Sequence, residues 1–346
     1  MIRWGQPFAR VEGRGGEPEA TVEVAVVAGG AGQRKRIRVN GVARRSSGLQ
    51  GVLRVVLFAP EEMLLVAGSP GLRRAAIDQL AGQRSAAYVR NLATYGRALQ
   101  QRNGLLRAIR EERAGRNELR FWTEAMLESG AAIVAERAAL LVELREPLLR
   151  AHREIAPEES IGTGLTVRCE TNAAAAPGEA PRDALERRLT ETAEKEVWNG
   201  STLVGPHRDD FVFELDGRSL AGFASRGQQR TAILAFKLAE LDLLTELDGR
   251  PPLLLLDDVF SELDPARRAH LVRRIADLPQ AFVTTTTLED LDPELRARAT
   301  SWAIGDGAQG PVLVGPTTGR APTAAVAPIG LNSDGAATSL AVSRRA

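Results

Sequence analysis

Residues 253–264 read LLLLDDVFSELD, an apolar run that ends in two adjacent carboxylates, Asp257 and Asp258. A continuous apolar run of this length is typical of a strand buried on both faces in the centre of a parallel sheet. Open α/β sheets bind ligands at the carboxyl ends of such strands, where an acid can hold Mg²⁺ and the next residue can activate a water molecule. Alternatively, the two carboxylates only begin a surface loop, and Asp264 caps a helix that starts at Pro265.

Length and composition predict a protein of ordinary globular type. With 346 residues, 44% hydrophobic and 26% charged, the chain is long enough for two domains and a sizeable core. No apolar run approaches the ~18 residues of a membrane span, and the N-terminus lacks a signal-peptide core. We therefore expect a cytoplasmic protein with no membrane partner.

Charge and cysteine content exclude few functions. The net charge of +1 argues neither for nor against a nucleic-acid partner. Cys169 is the single cysteine, so it cannot form an internal disulfide, and the three scattered histidines offer no zinc-binding spacing. The sequence predicts that Cys169 is a plain buried thiol.

The first half of the chain changes from strand to helix patterns. Strands are predicted at 21–27, 34–41 and 52–58, with Asn40-Gly41 as a hairpin turn. Ser69-Pro70 has the pattern of a helix start. Two amphipathic stretches follow, at about 84–113 and 117–146, each on the order of 45 Å long as a helix. Their apolar stripes are Leu92, Tyr95, Leu99, Leu106 and Ile109 in the first, and Met126, Ile133, Leu140 and Leu144 in the second. We expect an antiparallel helical arm.

An α/β pattern resumes after a loop-like segment at 156–182, which contains one short strand, GLTVRCE. Helices are predicted at about 183–198, about 227–247 and from Pro265, and strands at 211–217, 253–257 and 281–286. A helical insert therefore divides one α/β domain. The residues from 316 to 346 show no period and few apolar residues, and a disordered tail is expected there.

A second motif, FASRGQQR at 223–230, stands ahead of the helix that precedes the leucine strand. Ser225 is a suitable N-cap, and Gly227 with Gln228 lets the first backbone N–H groups face an anion. Alone, the S-x-G-Q pattern is short, and many helices begin with serine. Combined with LLLLDD about 30 residues later, it is much more specific.

These stretches resemble the RecF family of bacterial DNA replication and repair ATPases, which have heads of the ABC/SMC class. The matching segments are VVLFAPEEMLLVAGSPGLRRAAIDQL at 55–80, YVRNLATYGRALQQRNGLLR at 88–107, TLVGPHRDDF at 202–211, SRGQQR at 225–230, LLLLDDVFSELD at 253–264 and FVTTT at 282–286. The resemblance implies an α/β fold of the P-loop NTPase type with an inserted helical arm. It assigns 1–68 and 201–315 to the two parts of the head, and 69–200 to the arm.

The resemblance also implies roles for individual residues. Asp257 would hold Mg²⁺, and Asp258 would orient or activate the attacking water, a position that is usually glutamate in ABC ATPases. Residues that would complete, in trans, an ATP site on a second subunit are Ser225, Arg226, Gly227 and Gln228. Those of the loop through which paired heads touch are Ser261, Glu262, Leu263 and Asp264. Threonines occupy 284–287, where a histidine is usual, and their role stays open.

The P-loop pattern G-x-x-x-x-G-K-[ST] is missing from these residues. A P-loop needs a lysine after glycine to contact the β- and γ-phosphates, yet Lys35, Lys195 and Lys237 follow arginine, glutamate and phenylalanine. The simplest explanation is that the chain lacks an N-terminal strand, P-loop and helix, for example through a misassigned start codon; evolutionary loss is the alternative. As written, the chain is expected to bind ATP poorly and to fold its sheet incompletely, so enzyme activity stays uncertain.

DNA-facing residues are hard to select from the sequence. Basic clusters suited to phosphates include Arg34, Lys35, Arg36, Arg73 and Arg74. The alternative is a solvated hairpin and helix face, and no interleaved aromatic residues indicate base stacking. The resemblance implies gapped or junction DNA as ligand, an ATP-dependent homodimer, the RecR and RecO mediators as partners, and a role in recombinase loading and the SOS response.

Two rival functions remain open at this point. A non-enzymatic DNA-binding scaffold is favoured by the missing P-loop. The ATPase subunit of a transporter shares the S-x-G-Q and leucine-strand motifs, but the two long helices and GPHRDD do not support it.

Overall fold

The computed structural model describes residues 2, 5–15, 19–28, 34–45, 49, 53–159, 162–288, 291–307 and 310–314. The predicted tail at 316–346 lies outside these residues. The chain divides into two compact units, one of Met1–Pro60 with Leu244–Ala346 and one of Glu61–Leu243. This division places 201–243 with the helical arm, whereas the sequence assigned them to the head; the domain assignment from motifs stays a prediction.

The structure contains strands and helices throughout the described residues. The strands are β1 (Phe8–Gly15), β2 (Ala20–Val27), β3 (Arg34–Val39), β4 (Val42–Arg44), β5 (Val55–Phe58), β6 (Leu165–Glu170), β7 (Asp210–Leu215), β8 (Arg218–Ser219), β9 (Leu253–Asp257), β10 (Ala281–Thr284), β11 (Ala303–Gly307) and β12 (Gly310–Val314). The helices are α1 (Pro70–Arg84), α2 (Ala86–Arg110), α3 (Leu119–Ile155), α4 (Pro181–Asn199), α5 (Leu220–Phe223), α6 (Arg226–Asp248), α7 (Pro265–Ala276) and α8 (Pro293–Arg298). No helix in the described ranges is long and apolar enough to span a membrane.

In the first unit, the leucine strand β9 lies between β5 and β10, and both pairings are parallel. This confirms the predicted α/β class and the central position of the strand. Leu254 and Leu256 are buried, but Leu253 and Leu255 are only half-buried. The prediction that both faces are buried is therefore confirmed for one face only, because the described parallel sheet has three strands and its second face is less completely covered.

A four-stranded antiparallel sheet in the order β1-β2-β3-β4 belongs to the same unit. Asn40 and Gly41 have φ values of 51° and 77°, so they form the predicted hairpin turn between β3 and β4. Strand β1 was not predicted, because its segment FARVEGRG contains two glycines, residues that weaken a strand pattern.

In the second unit, α2 and α3 are joined by residues 111–118 and pack together as an antiparallel pair, as predicted. The apolar stripe of α3 is buried at Met126, Ile133, Leu140 and Leu144. Gly130 allows the close approach, since a Cβ there would lie 3.1 Å from the Tyr95 ring. Both arm helices are thus held by their apolar faces.

The segment GPHRDD lies inside the second unit and is held by buried arginines. Arg137 of α3 donates to the Pro206 carbonyl at 2.8 Å, to Asp209 Oδ2 at 3.0 Å and to Asp78 Oδ1 at 2.7 Å. The Tyr88 hydroxyl donates to the same Asp78 oxygen at 2.5 Å. The hydrogen bonds of Arg137 therefore connect α1, α2 and α3 to the GPHRDD segment, which leads into β7.

Cys169 lies on β6 and is half-buried rather than buried. Burial still raises the pKa of its thiol to about 12, and the Asp209 carboxylate adds to the shift. The predicted burial is only partial: Cys169 shares the more covered side of β6 with Leu165 and Val167, but it lies next to Glu170, the exposed residue that ends the strand. At neutral pH the thiol is protonated, as expected of an unreactive cysteine.

Candidate nucleotide site

The two carboxylates that follow the leucines lie at the carboxyl edge of the parallel sheet. Asp257 is the last residue of β9 and is exposed, and its register partner on β10 is Thr284. The Thr284 hydroxyl donates to Asp257 Oδ1. The Asp258 backbone N–H donates to both the hydroxyl and the carbonyl oxygen of Thr284, each at 3.2 Å. One threonine therefore connects the side chain of Asp257 to the backbone of Asp258.

Asp258 has two unusual features. Its φ is 50°, a conformation that non-glycine residues adopt rarely and that costs free energy. One of its carboxylate oxygens, Oδ1, is buried and has no hydrogen-bond partner among the described residues. Strained backbone and an unsatisfied buried acceptor are features that concentrate at functional sites, where a ligand or water completes the bonding.

The donor set suits Mg²⁺ in its nucleotide-bound form. The described residues contain no group of three or more His, Cys, Asp or Glu able to hold a metal alone. However, Mg²⁺ is commonly held by one or two carboxylates together with substrate phosphates and water. The exposed carboxylate of Asp257 and the unsatisfied oxygen of Asp258 fit that arrangement.

The residues after Asp258 form a compact turn that leads into α7. Ser261 donates through its hydroxyl to the Asp258 carbonyl at 2.9 Å. Asp264 caps α7, accepting from the backbone N–H groups of Ala266 and Arg267 at 3.0 Å each. Desolvation raises the pKa of the Asp264 carboxyl, but the bonds from Arg267 outweigh it and hold that pKa below its usual range. Leu263 is buried, and Glu262 ends the short 3-10 helix Phe260–Glu262.

The S-x-G-Q motif lies in the second unit at the start of α6. The Ser225 hydroxyl oxygen accepts from the Gln228 N–H at 3.2 Å, and the Gln228 side chain accepts from the Ser225 N–H at 3.0 Å. This reciprocal pair is a capping box. It leaves the backbone N–H groups of Arg226 and Gly227, both exposed residues, at the positive end of a 23-residue helix. The arrangement is that of an anion-binding helix N-terminus.

Lys237, the only lysine of α6, is used inside the second unit. Its ammonium lies 2.7 Å from Glu62 Oε1 and 3.0 Å from Glu240 Oε2. Desolvation raises the pKa of Glu62 to about 7, although Lys237 opposes the shift. Lys237 therefore neutralises buried carboxylates and presents no charge to a phosphate.

The predicted DNA-binding residues differ in their burial and in their hydrogen-bond partners. Arg73 is buried, and its guanidinium bonds Asp210 and the carbonyls of residues 65, 66 and 68, so most of its donors are used inside the unit. Arg74 donates to the Asp209 carbonyl at 2.7 Å. We do not retain Arg73 as a DNA contact. Arg34, Lys35 and Arg36 lie on β3, where neighbouring residues face opposite sides of the sheet, so Lys35 and Arg36 cannot line one surface.

The position of Thr284 beside Asp257 was not predicted, and the role of the threonines at 284–287 was left open. The signal that identifies it is the parallel register, which places Thr284 beside Asp257. A sequence pattern cannot supply this register, because strand pairing is set by tertiary packing.

Comparison with known proteins gives consistent relatives. The chain is 36% identical over 310 residues to the DNA replication and repair protein RecF of Shouchella clausii, covering 89% of this chain and 82% of the relative. It is 40% identical over 282 residues to that of Moorella thermoacetica, with 82% and 74% covered. A search of protein-family models found no match.

The fold is similar to a solved structure described as the recombination mediator protein RecF-ATPrS in the RecFOR pathway. The TM-score is 0.73 at 30% identity, covering 84% of this chain and 78% of that one. A structure described as RecF-ATP matches with a TM-score of 0.72 at 29% identity, covering 84% and 78%.

The leucine strand with its paired carboxylates and the capped S-x-G-Q helix define a P-loop NTPase fold of the ABC/SMC head type. Within that class, the relatives are specific. The chain belongs to the RecF family of DNA replication and repair proteins.

Proposed function

We propose that this protein is an ATP-dependent DNA-binding protein that acts at gapped or junction DNA during recombinational repair. Two heads would enclose ATP, and DNA would lie across the dimer until slow hydrolysis releases it. The observation that carries the proposal is the exposed, capped N-terminus of α6, whose free N–H groups suit the γ-phosphate of ATP held by a second subunit.

The proposed reaction is phosphoryl transfer to water, in which positioning and charge neutralisation supply most of the catalysis. Mg²⁺ would neutralise phosphate charge. Asp257 would hold the ion, Asp258 would accept a hydrogen bond from the attacking water through its free Oδ1, and Thr284 would keep both acids in place. Ser225, Arg226, Gly227 and Gln228 would contact the nucleotide in trans.

The loop Ser261–Asp264 is the proposed contact between paired heads. The loop follows Asp258 closely in the sequence, and the Ser261 hydroxyl donates a hydrogen bond to the Asp258 carbonyl. Closure of the dimer would therefore change the position of Asp258, the proposed water-positioning residue. The RecFOR pathway named for the solved relative supports RecR and RecO as partners and recombinase loading as the outcome. We extend the proposal to the SOS response and to the cytoplasm on the same family grounds.

Ser225→Arg is predicted to prevent ATP-induced dimers. It places a bulky cation at the helix N-terminus that should meet the γ-phosphate held by the partner, while each subunit still binds its own ATP. Sedimentation velocity is measured with ATP and with ADP on protein produced from the complete open reading frame.

Ser69→Arg is the matched control, because Ser69 is also an exposed N-cap serine of the second unit. It should dimerise normally. Normal ATP-induced dimers of Ser225→Arg would refute the trans role of α6. Dimers that form equally with ATP, with ADP and without nucleotide would favour the scaffold alternative.

A further inference from the structure

The segment that leads into α6 carries an exposed aromatic ring. We define the α5–α6 surface as residues 218–228, which run from β8 through α5 into the first turn of α6. Phe223 is the last residue of α5 and is 73% exposed, and no other large apolar side chain of this surface is exposed. A single exposed ring is ordinary by itself. This one, however, lies two residues before Ser225 and therefore beside the proposed γ-phosphate contact.

Local contacts hold this ring in one orientation. The guanidinium carbon of Arg218 lies 4.8 Å from the centroid of the Phe223 ring, so it covers one face of the ring and leaves the other face to solvent. The Ala224 N–H donates to the Leu220 carbonyl at 3.2 Å, which closes α5. The side-chain amide of Gln229 donates to the Leu220 and Ala224 carbonyls, each at 3.4 Å, which joins α5 to α6. The free face of the ring is therefore preorganised for a ligand.

The charges of the α5–α6 surface favour an anionic ligand. The surface contains two arginines, Arg218 and Arg226, and no acidic residue. Arg226 is exposed and forms no salt bridge within the described part of the chain. The acids that precede the surface, Glu214 and Asp216, are already bonded, the first to an arginine of β6 and the second to a backbone N–H. An unpaired guanidinium, a helix N-terminus and an oriented ring thus lie within a few residues of one another.

We propose that Phe223 stacks on the base of the nucleotide held by the second subunit. This inference rests on the proposed function, because it requires ATP between two heads. A nucleotide has a flat base at one end and its γ-phosphate at the other, so one ligand can contact both the ring and the N-terminus of α6. Consecutive Cα atoms are about 3.8 Å apart, so those of Phe223 and Arg226 are at most about 11 Å apart. Stacking on a ring accepts every base, and the contact would add affinity without strict selection among bases.

A nucleotide explains these features better than a protein partner does. The buried centre of a protein interface is built from contiguous apolar side chains. Phe223 is instead flanked by small or polar exposed residues, namely Ala221, Gly222, Ser225 and Arg226. A Cβ added at Gly222 would meet no atom within 4 Å, so the space beside the ring is open. The ring and the helix N-terminus can therefore be approached together from solvent.

The test is the dissociation constant of ATP-induced dimers, measured by sedimentation velocity on protein produced from the complete open reading frame. Phe223→Ala should raise this constant about tenfold or more, the effect of losing a base stack. Each subunit should still bind its own ATP, which the shift of melting temperature measures. Phe223→Tyr keeps the ring and should dimerise like the unaltered protein. Phe121→Ala is the matched control, since Phe121 is a 69% exposed phenylalanine on α3 of the same unit, and it should also dimerise normally.

A fluorescent nucleotide reports the stack itself. The riboside triphosphate of 2-aminopurine loses fluorescence when its base stacks on an aromatic ring. Dimer formation by the unaltered protein should therefore quench this nucleotide. Dimers of Phe223→Ala, formed at a higher protein concentration, should quench it less, whereas those of Phe223→Tyr should quench it fully.

Equal dimer dissociation constants for Phe223→Ala and the unaltered protein would overturn the proposal. A raised constant with unchanged quenching would overturn it too, because the ring would then contact the partner's protein surface and not the base. Neither result would affect the proposed function. That function fails, and this contact with it, if the unaltered protein forms no dimers with ATP.

Discussion

Replacing Arg137 with alanine is expected to lower the free energy of unfolding of the helical unit by about 3–5 kcal/mol. The side chain is almost fully buried, and it satisfies Asp78, Asp209 and the Pro206 carbonyl at once. Removing one member of a buried ionic network leaves the remaining charges desolvated and unpaired, which costs this much in comparable cases. Urea denaturation followed by far-ultraviolet circular dichroism measures the change.

Arg145→Ala provides the control for this prediction. Arg145 lies on the same helix, is exposed, and should change stability by less than about 0.5 kcal/mol. A loss of the same size in both variants would mean that the change reflects helix content rather than the network. A negligible loss in Arg137→Ala would mean that the GPHRDD segment is held by other contacts.

Substitution of the two carboxylates should separate metal binding from water activation. In protein produced from the complete open reading frame, Asp257→Ala should abolish Mg²⁺-dependent ATP hydrolysis, because it removes the carboxylate proposed to hold the ion. Asp258→Asn should lower kcat about 100-fold or more while ATP still binds, because the amide cannot accept a proton. ATP binding is measured by the shift of melting temperature.

Asp258→Asn should also stabilise the ATP-bound dimer, since hydrolysis normally ends it. If this variant hydrolyses ATP at the unaltered rate, the role assigned to Asp258 is wrong. If Asp257→Ala hydrolyses normally, Mg²⁺ is held by other groups, and the sheet edge described above is not the site.

Local patterns were sufficient for most elements of the fold. The leucine run placed β9 at the centre of a parallel sheet, Asn40-Gly41 gave the hairpin, and Asp264 capped α7 as predicted. These features depend on side-chain periodicity and on backbone preferences within a few residues. They are therefore visible in sequence.

Features that depend on tertiary contacts were not visible. In the sequence, Arg73 has the pattern of a surface cation. In the fold it is buried and bonds Asp210, which lies 137 residues farther along the chain. The role of Thr284 was ambiguous until the strand register placed it beside Asp257. Long-range pairing decided each case.

The candidate site was therefore predictable in its residue types and less so in its geometry. The two acids and the S-x-G-Q motif were identified by pattern and by resemblance to a family. The positive φ of Asp258 and its unsatisfied carboxylate oxygen could not be predicted, because aspartate at this position is compatible with several backbone conformations.

The most direct test of ATP-dependent DNA binding is the affinity for a labelled gapped duplex in ATP compared with ADP. It is measured by fluorescence anisotropy with Asp258→Asn protein produced from the complete open reading frame, at one fixed salt concentration. The proposed function predicts that the gapped duplex binds about tenfold more tightly with ATP than with ADP, a difference of about 1.4 kcal/mol. The reason is that only ATP would close the dimer across which DNA lies. Equal affinity in ATP, in ADP and without nucleotide would contradict it and indicate a nucleotide-independent scaffold.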